Sequence, residues 1–189
     1  MVDQQQVKKA VESLIVAIGE DLERDGLRQT PERVSQMYVE LFSGMGIDPG
    51  SVLKSVFDID SSTDPVFLKN IPFSSICEHH MLPFFGNASI GYVPNGNVPG
   101  ISKIARAIEI VSRRLQIQER LTSEIADAIY RTIKPHGLAV LIEAEHLCMS
   151  MRGVKKYGST VTTFAVRGKF GESTELRSQL INLLRDRNL

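Results

Sequence analysis

Two short stretches of the chain carry the side chains best suited to hold a metal ion. Positions 77–80 read Cys-Glu-His-His, and positions 145–152 read Glu-His-Leu-Cys-Met-Ser-Met-Arg. Together they contain both cysteines of the chain and three of its four histidines. Thiolate and imidazole are groups that zinc prefers in proteins, and a Cys-x-x-His spacing lets both reach one ion. A fold that brings the two stretches together would therefore create a metal site.

The number of ligands decides what kind of metal site this would be. Cys77, His80 and Cys148 make three protein ligands, which leaves the fourth tetrahedral position of a zinc ion for water. A zinc held in this way is catalytic, because it lowers the pKa of that water to about 7. A structural zinc with His79 or His146 as fourth ligand is an alternative that spacing does not decide. Two others are a Cys77–Cys148 disulfide, which a reducing compartment disfavours, and burial of Cys148 as a small hydrophobic residue.

A third stretch, positions 98–106, suits an anion. It reads Val-Pro-Gly-Ile-Ser-Lys-Ile-Ala-Arg and opens a predicted helix. Lys103 and Arg106 lie in the first turn, where the helix dipole already makes the N-terminus positive. With the Ser102 hydroxyl and the free backbone N–H groups, they would bind a phosphate. The alternative is that these basic side chains are merely solvated.

An acidic residue, Glu119, lies in the first turn of the helix that follows. Acids are favourable at that end of any helix, so an ordinary surface position explains it. A carboxylate also accepts two parallel hydrogen bonds, which suits the adjacent N–H donors on the edge of a guanine. The sequence pattern does not choose between the two interpretations.

These stretches are carried by alternating pairs of helices and strands, in the order αα, ββ, αα, ββ, α. Apolar periodicity and turn residues predict helices over Gln4–Leu22, from Thr30 as N-cap to Ser43, over Ser102–Leu115, Ile117–Ile133 and Ser173–Arg187, and strands over Ser55–Ile59, Val66–Cys77, Phe84–Val93, Leu138–Ser150 and Thr160–Lys169. Short loops between paired strands indicate antiparallel pairing, with the helices on one face of the sheet. The class is therefore α+β. We expect an N-terminal helical region over 1–64 and a sheet region over 65–189, in one compact chain.

The predicted strand over Leu138–Ser150 gives the second metal-binding stretch a polar face. Side chains two positions apart on a strand share a face. The polar members would then point towards the site, while the leucine and methionines between them would point towards a core. These polar members are His146, Cys148, Ser150 and Arg152.

Composition narrows the class of protein. The 189 residues contain 22 acidic and 22 basic residues, so nothing favours non-specific binding to nucleic acid or to a membrane surface. The apolar run over 14–18 is too short to span a bilayer, and no charged-then-apolar leader opens the sequence. Two cysteines are too few for a disulfide framework. We therefore expect a cytoplasmic protein.

Five motifs in order resemble the zinc-dependent GTP cyclohydrolase I family, from about Gly26 to Gly168. They read Gly-Leu-Arg-Gln-Thr-Pro-Glu-Arg-Val, Cys-Glu-His-His, Gly-Ile-Ser-Lys-Ile-Ala-Arg, Arg-Arg-Leu-Gln-Ile-Gln-Glu-Arg-Leu-Thr and His-Leu-Cys-Met-Ser-Met-Arg-Gly-Val. The resemblance implies a tunnelling fold, in which antiparallel sheets from several copies close into a barrel. It implies homodecamers of two face-to-face pentamers, with active sites between subunits. The implied reaction converts GTP and water to 7,8-dihydroneopterin triphosphate and formate, the first step of folate and pterin synthesis.

The resemblance also implies roles for individual residues. Cys77, His80 and Cys148 match the ligands of one Zn²⁺ per subunit. His79 and His146 match the proton-transfer histidines: His146 would protonate the imidazole-ring nitrogen of the purine, and His79 would shuttle protons during formate release. The site implied is therefore open to water.

Substrate-binding roles follow from the same comparison of motifs. Glu119 with Gln118 matches the residues that hold the guanine. Gln36 stands where some family members carry a lysine near the phosphates. This difference weakens the expectation that its helix contributes to phosphate binding. The residues that match the triphosphate pocket are Ser102, Lys103, Arg106, Arg152 and, as a weaker member, Arg33. Rival interpretations are a zinc-stabilised nucleotide-binding scaffold and another pterin or deazapurine enzyme of the tunnelling fold, which we would expect to lack this ligand set.

Overall fold

The structure is a computed structural model that describes residues 1–54, 56–58, 64–172 and 174–185. The chain folds around a five-stranded sheet. The helices are α1 (Gln4–Ala17), α2 (Thr30–Leu41), α3 (Ile101–Ser112), α4 (Gln118–Ile133), α5 (Leu147–Ser150) and α6 (Thr174–Arg185), with 3-10 turns at Pro49–Leu53 and Lys169–Gly171. The strands are β1 (Val56–Asp58), β2 (Val66–Cys77), β3 (Pro83–Val93), β4 (Asn97–Pro99), β5 (Leu115–Gln116), β6 (Gly137–His146) and β7 (Val161–Gly168).

The order of strands in the sheet is β5-β2-β3-β6-β7. Antiparallel ladders join β2 to β3, β3 to β6 and β6 to β7, and the two-residue β5 runs parallel to β2. β1 and β4 form a separate two-stranded ribbon. The α+β class and the antiparallel pairing predicted from the sequence are confirmed.

Successive residues of β6 pack on opposite faces of the sheet, as the pleat requires. Leu138 and Val140 belong to the main core, which the buried sides of α3 and α4 complete. Ala139 and Leu141 belong to a smaller core on the other face, closed by Leu180 and Leu184 of α6. The prediction that the helices lie on one face is therefore wrong for α6.

The second metal-binding stretch is not the continuous strand that the sequence suggested. β6 ends at His146, and Leu147–Ser150 form one helical turn. The Ser150 hydroxyl donates to the His146 carbonyl at 3.3 Å, and the Met151 N–H donates to the Leu147 carbonyl at 3.0 Å. These local bonds replace the ladder that an extended segment would need. The two-residue alternation of a strand therefore does not predict the position of the Cys148 side chain.

The N-terminal helices depart from the predicted bounds at their ends. α1 ends at Ala17 rather than Leu22, because Gly19 adopts a positive φ of 87° and the Glu20 N–H donates to the Ile15 carbonyl. Gln29 rather than Thr30 stands at the N-cap of α2. Ser55, Ile59, Ser173 and 186–187, which belong to the predicted elements, lie outside the described residues.

Gly44 joins the N-terminal helices to the body of the protein. Its N–H donates to the Arg113 carbonyl at 3.0 Å. A Cβ at this position would overlap the Ile110 carbonyl, so only glycine allows the loop after α2 to lie this close to α3. No helix of the described residues is long and apolar enough to cross a membrane.

Candidate metal centre

A tight turn at the end of β2 presents the Cys-Glu-His-His stretch. The Met81 N–H donates to the Cys77 carbonyl at 2.8 Å, and the Cys77 N–H donates to the Leu82 carbonyl at 2.9 Å. Met81 has a positive φ of 53°, which closes the turn so that Pro83 can begin β3. The side chains of His79 and His80 are left exposed on the turn.

An ion pair ties this turn to the helix that follows β5. Arg120 of α4 pairs with the Glu78 carboxylate, and its Nε donates to Gln116 Oε1 at 2.8 Å. The hydrogen bond from Arg120 lowers the pKa of Glu78. The Glu78 N–H also donates to the Gln116 carbonyl at 3.0 Å. Sequence reasoning missed Arg120, and nothing in the local pattern reveals a partner 42 positions away.

The two metal-binding stretches meet at one end of the sheet. A ring nitrogen of His146 and the Sγ atoms of Cys77 and Cys148 lie within 4.8 Å of one another. The register explains the meeting: Pro83 of β3 pairs with β2 beside Cys77, and Phe84 pairs with His146 of β6. We call Cys77, His146 and Cys148 the Cys–His cluster.

The donor set of the Cys–His cluster fits a thiophilic divalent metal. Both cysteines are free thiols; Cys77 is buried and Cys148 is half-buried. Burial, and then the nearby Cys77 thiol, raise the pKa of Cys148. A bound cation reverses this tendency, because the thiolate is the form that coordinates metal. Two sulfur donors with an imidazole nitrogen are ligands that suit zinc.

The two histidines of the first stretch, His79 and His80, have different neighbours. His79 Nδ1 is 4.0 Å from Cys77 Sγ. His80 Nε2 accepts a hydrogen bond from Arg152 Nη1 at 3.0 Å. The structure thus groups His146 with the two cysteines, while His80 contacts a residue predicted to bind phosphate. The ligand set of Cys77, His80 and Cys148 stays a prediction.

His146 is held on two sides. Its ring stacks on that of the fully buried Phe84, with centroids 4.5 Å apart and an interplanar angle of 4°. Its Nε2 donates to Gln118 Oε1 at 2.8 Å. Burial lowers the pKa of His146, and the nearby Glu119 carboxylate partly opposes this shift. Glu119, predicted to hold the guanine, therefore lies within electrostatic reach of the cluster.

The predicted phosphate-binding residues at the start of α3 do not join the cluster. Ser102 and Arg106 are exposed, and Arg106 lines a cavity of about 540 Å³ between α3 and β2. At the other end of α3, the Ser112 carbonyl accepts a hydrogen bond from Ser75 of β2 at 2.7 Å. Ser102 therefore lies about 15 Å along the helix axis from the end that contacts the cysteine-bearing strand.

The weaker members of the predicted phosphate pocket make local contacts on α2. Arg33 Nη2 donates to Gln29 Oε1 at 3.0 Å, and Gln36 Nε2 donates to Glu32 Oε1 at 2.8 Å. Both side chains are exposed. Within the described chain, α2 packs mainly on α1.

Comparison with known proteins gives a consistent family. A family model described as GTP cyclohydrolase I matches residues 7–185. A protein named GTP cyclohydrolase 1 from Dehalococcoides mccartyi is 52% identical over 190 residues, covering 100% of both chains. One of the same name from Halalkalibacterium halodurans is 49% identical over 185 residues, covering 97% of this chain and 98% of the relative.

A solved structure was also found by comparison of folds. It is titled as the archaeosine synthase QueF-Like in the apo form, and it aligns with 58% of this chain and 97% of its own at a TM-score of 0.46 and 20% identity. A likeness of that extent supports no statement about function.

Proposed function

The chain belongs to the GTP cyclohydrolase I family, and from that premise we propose that it converts GTP and water to 7,8-dihydroneopterin triphosphate and formate in a zinc-dependent reaction. The names of its relatives indicate that it is an enzyme with GTP cyclohydrolase activity. The observation that carries the finer proposal is the approach of Cys77, His146 and Cys148 to within 4.8 Å of one another.

We assign one zinc per subunit to Cys77 and Cys148 of the cluster and, from the resemblance of the Cys-Glu-His-His motif to the family, to His80 as the third ligand. When bound, the zinc supplies a Lewis acid that activates water near neutral pH. The remaining histidines of the site, His79 and His146, then hold and move protons. The position of His146 supports this role, because one of its ring nitrogens lies within 4.8 Å of both cysteine thiols.

His146 is proposed to deliver a proton to the imidazole-ring nitrogen of the purine as that ring opens. His79, exposed beside Cys77, is proposed to move protons as formate leaves. Glu119 would accept two hydrogen bonds from the guanine edge and so fix the purine against these histidines. The effect of Glu119 on the pKa of His146 supports this arrangement, because it requires the carboxylate to be near the ring. The guanine-binding role of Gln118 stays a prediction, since its amide is engaged by other residues.

The triphosphate is proposed to bind a set of basic and hydroxyl residues from more than one copy of the chain. The distance of Ser102 from the cluster along α3 supports this, because one chain separates the groups that one substrate must contact. β7 lies at the edge of the sheet and pairs only with β6 within the described residues, which leaves its other side for a neighbouring copy. The proposed triphosphate-binding residues are Ser102, Lys103, Arg106, Arg152 and Arg33.

We therefore also propose the tunnelling-fold barrel and a homodecamer of two pentamers, with sites between subunits. In this assembly, residues 1–64 would form the N-terminal helical region and 65–189 the catalytic region. The enzyme would work in the cytoplasm without a nucleic-acid or membrane partner.

The test is incubation of the zinc-loaded protein with GTP, followed by oxidation and fluorescence detection of neopterin alongside formate. Equal amounts of both products are the expected result. Formate without pterin would restrict the function to hydrolysis. Neither product from assembled, zinc-containing protein would overturn the proposal in favour of a structural zinc.

A further inference from the structure

The side-chain amide of Gln118 has an orientation that its surroundings fix. Gln118 is 1% exposed. Its Nε2 lies 2.9 Å from the Val161 carbonyl oxygen, 3.2 Å from the Ile142 carbonyl oxygen and 3.1 Å from Thr163 Oγ1. Backbone carbonyls only accept hydrogen bonds, so the amide nitrogen must face them. Rotating the amide by 180° would place Oε1 against two carbonyl oxygens in a buried site, which is unfavourable.

This orientation in turn fixes the proton on His146. Gln118 Oε1 is left facing His146 Nε2 at 2.8 Å, and an amide oxygen can only accept. Nε2 must therefore carry the hydrogen. In the neutral ring, Nδ1 is then the nitrogen with a free lone pair.

A chain of hydrogen bonds holds Gln118 in place from behind. Thr122 Oγ1 donates to the backbone carbonyl of Gln118 at 2.7 Å, so the 2.6 Å contact between the two threonine hydroxyls uses the hydrogen of Thr163. Thr163 Oγ1 then accepts from Gln118 Nε2. Each hydroxyl hydrogen has one acceptor, and the two hydrogens of the amide are shared among three acceptors. The stacked Phe84 ring restricts His146 on its face.

We propose that Gln118 is a positioning residue that holds His146 with one proton on Nε2, so that Nδ1 is the nitrogen that first takes up a proton and then passes it to the purine. This rests on the proposed GTP cyclohydrolase reaction, in which His146 transfers a proton. It differs from the guanine-binding role predicted for Gln118. For the side chain to reach a guanine, the amide would have to give up bonds to Val161, Ile142 or His146.

The kinetic test compares Gln118→Met with Thr163→Val. The first keeps the length of the side chain and removes the acceptor for His146; the second removes a bond from the same buried chain without touching His146. For Gln118→Met we expect kcat to fall by about 10- to 100-fold, the range for loss of a partner that orients a histidine, with KM for GTP changed less than about threefold. Thr163→Val removes one of the three acceptors around the amide and leaves the contact with His146 in place, so its kcat should fall by less than about tenfold, a smaller loss than that of Gln118→Met. Unchanged kcat in Gln118→Met would overturn the proposal, as would a raised KM with weaker discrimination between GTP and ITP.

The spectroscopic test needs no substrate. Histidine labelled with ¹⁵N gives few ring signals, because the chain has four histidines, and His146→Gln identifies the one in question. In the zinc-loaded, unsubstituted protein we expect His146 to be protonated at Nε2, and Thr163→Val to keep that form. A proton on Nδ1 would overturn the proposal even if Gln118→Met failed to fold. Absence of GTP turnover in the unsubstituted protein would instead contradict the proposed function. The tautomer of His146 would still show whether its Nε2 donates to Gln118 Oε1.

Discussion

The Cys–His cluster and the start of α3 differ in how firmly their side chains are held. The cluster draws its residues from β2, β6 and the helical turn after β6, and its histidine is stacked and hydrogen-bonded. At the start of α3, the side chains of Ser102, Lys103 and Arg106 make no hydrogen bond or ion pair with any described residue. Metal ligation demands fixed atoms a few ångströms apart, whereas charge attracts a phosphate over a longer range. The contrast supports the proposal that a neighbouring copy of the chain completes the phosphate-binding part of the site.

The largest effect is expected at the cluster. Cys148→Ser removes a sulfur ligand, so we expect loss of zinc and no detectable turnover, with assembly retained. Formate release, metal content and oligomer mass by light scattering measure the three quantities. Met151→Leu, an exposed position just after the same turn, is the matched control and should behave as the unsubstituted enzyme. A zinc-free Cys148→Ser variant with near-normal formate release would show that metal has no part in the reaction.

A smaller effect is expected where the guanine is proposed to bind. Glu119→Gln removes one of two charge-assisted acceptors, so kcat/KM for GTP should fall by about 10- to 100-fold. ITP lacks the exocyclic amino group and serves as the matched substrate control, with a smaller loss. The discrimination between the two nucleotides should therefore narrow. Equal losses for both would remove Glu119 from base recognition.

The start of α3 offers a direct test of shared sites. Arg106→Ala should raise KM for GTP by about tenfold, the loss of one charge-assisted bond to phosphate. If neighbouring copies supply the cluster and Arg106, oligomers reassembled from equal amounts of Arg106→Ala and Cys148→Ser chains should regain sites with both residues intact. Random mixing in a symmetric ring predicts about a quarter of the sites. Activity is measured well below the KM for GTP.

Each variant taken alone through the same dissociation and reassembly is the control for the mixing experiment. Mixed oligomers no more active than the average of these two controls would place the cluster and Arg106 of each site in one chain.

The smallest effect concerns α2. Gln36→Lys adds a cation where the related motif carries one in some family members, and the new side chain can pair with Glu32 one turn away. We expect KM for GTP to fall about two- to threefold, in keeping with the small free energy of an exposed charge pair. Gln5→Lys, an exposed position on α1, controls for the general rise in positive charge. Equal changes in both variants would exclude a specific role for α2.

Local sequence was a good guide wherever one interaction dominated. The apolar spacing of α3 and α4 and the run of β2 gave elements within a few residues of those observed, because burial of one face decides each of them. It failed at Leu147–Ser150, where alternating polar and apolar residues fit a strand but the chain turns into a helix after His146. The sequence also failed to predict where α6 packs. An amphipathic stripe shows that one face of a helix is buried, but it does not show on which side of the sheet the helix lies.

The chemical identity of the site came from residue types and spacing, because thiolates, imidazoles and cations have chemistry that does not depend on the fold. The pairing of β3 with β6 decided which of these groups meet, and it brought His146 to the two cysteines. The orientation of Gln118 was likewise invisible in the sequence, since it depends on carbonyls of β6 and β7 that lie 24 and 43 positions away. Contacts of that kind exist only after the sheet has formed. Tertiary structure is therefore what turns a set of reactive side chains into defined donors and acceptors.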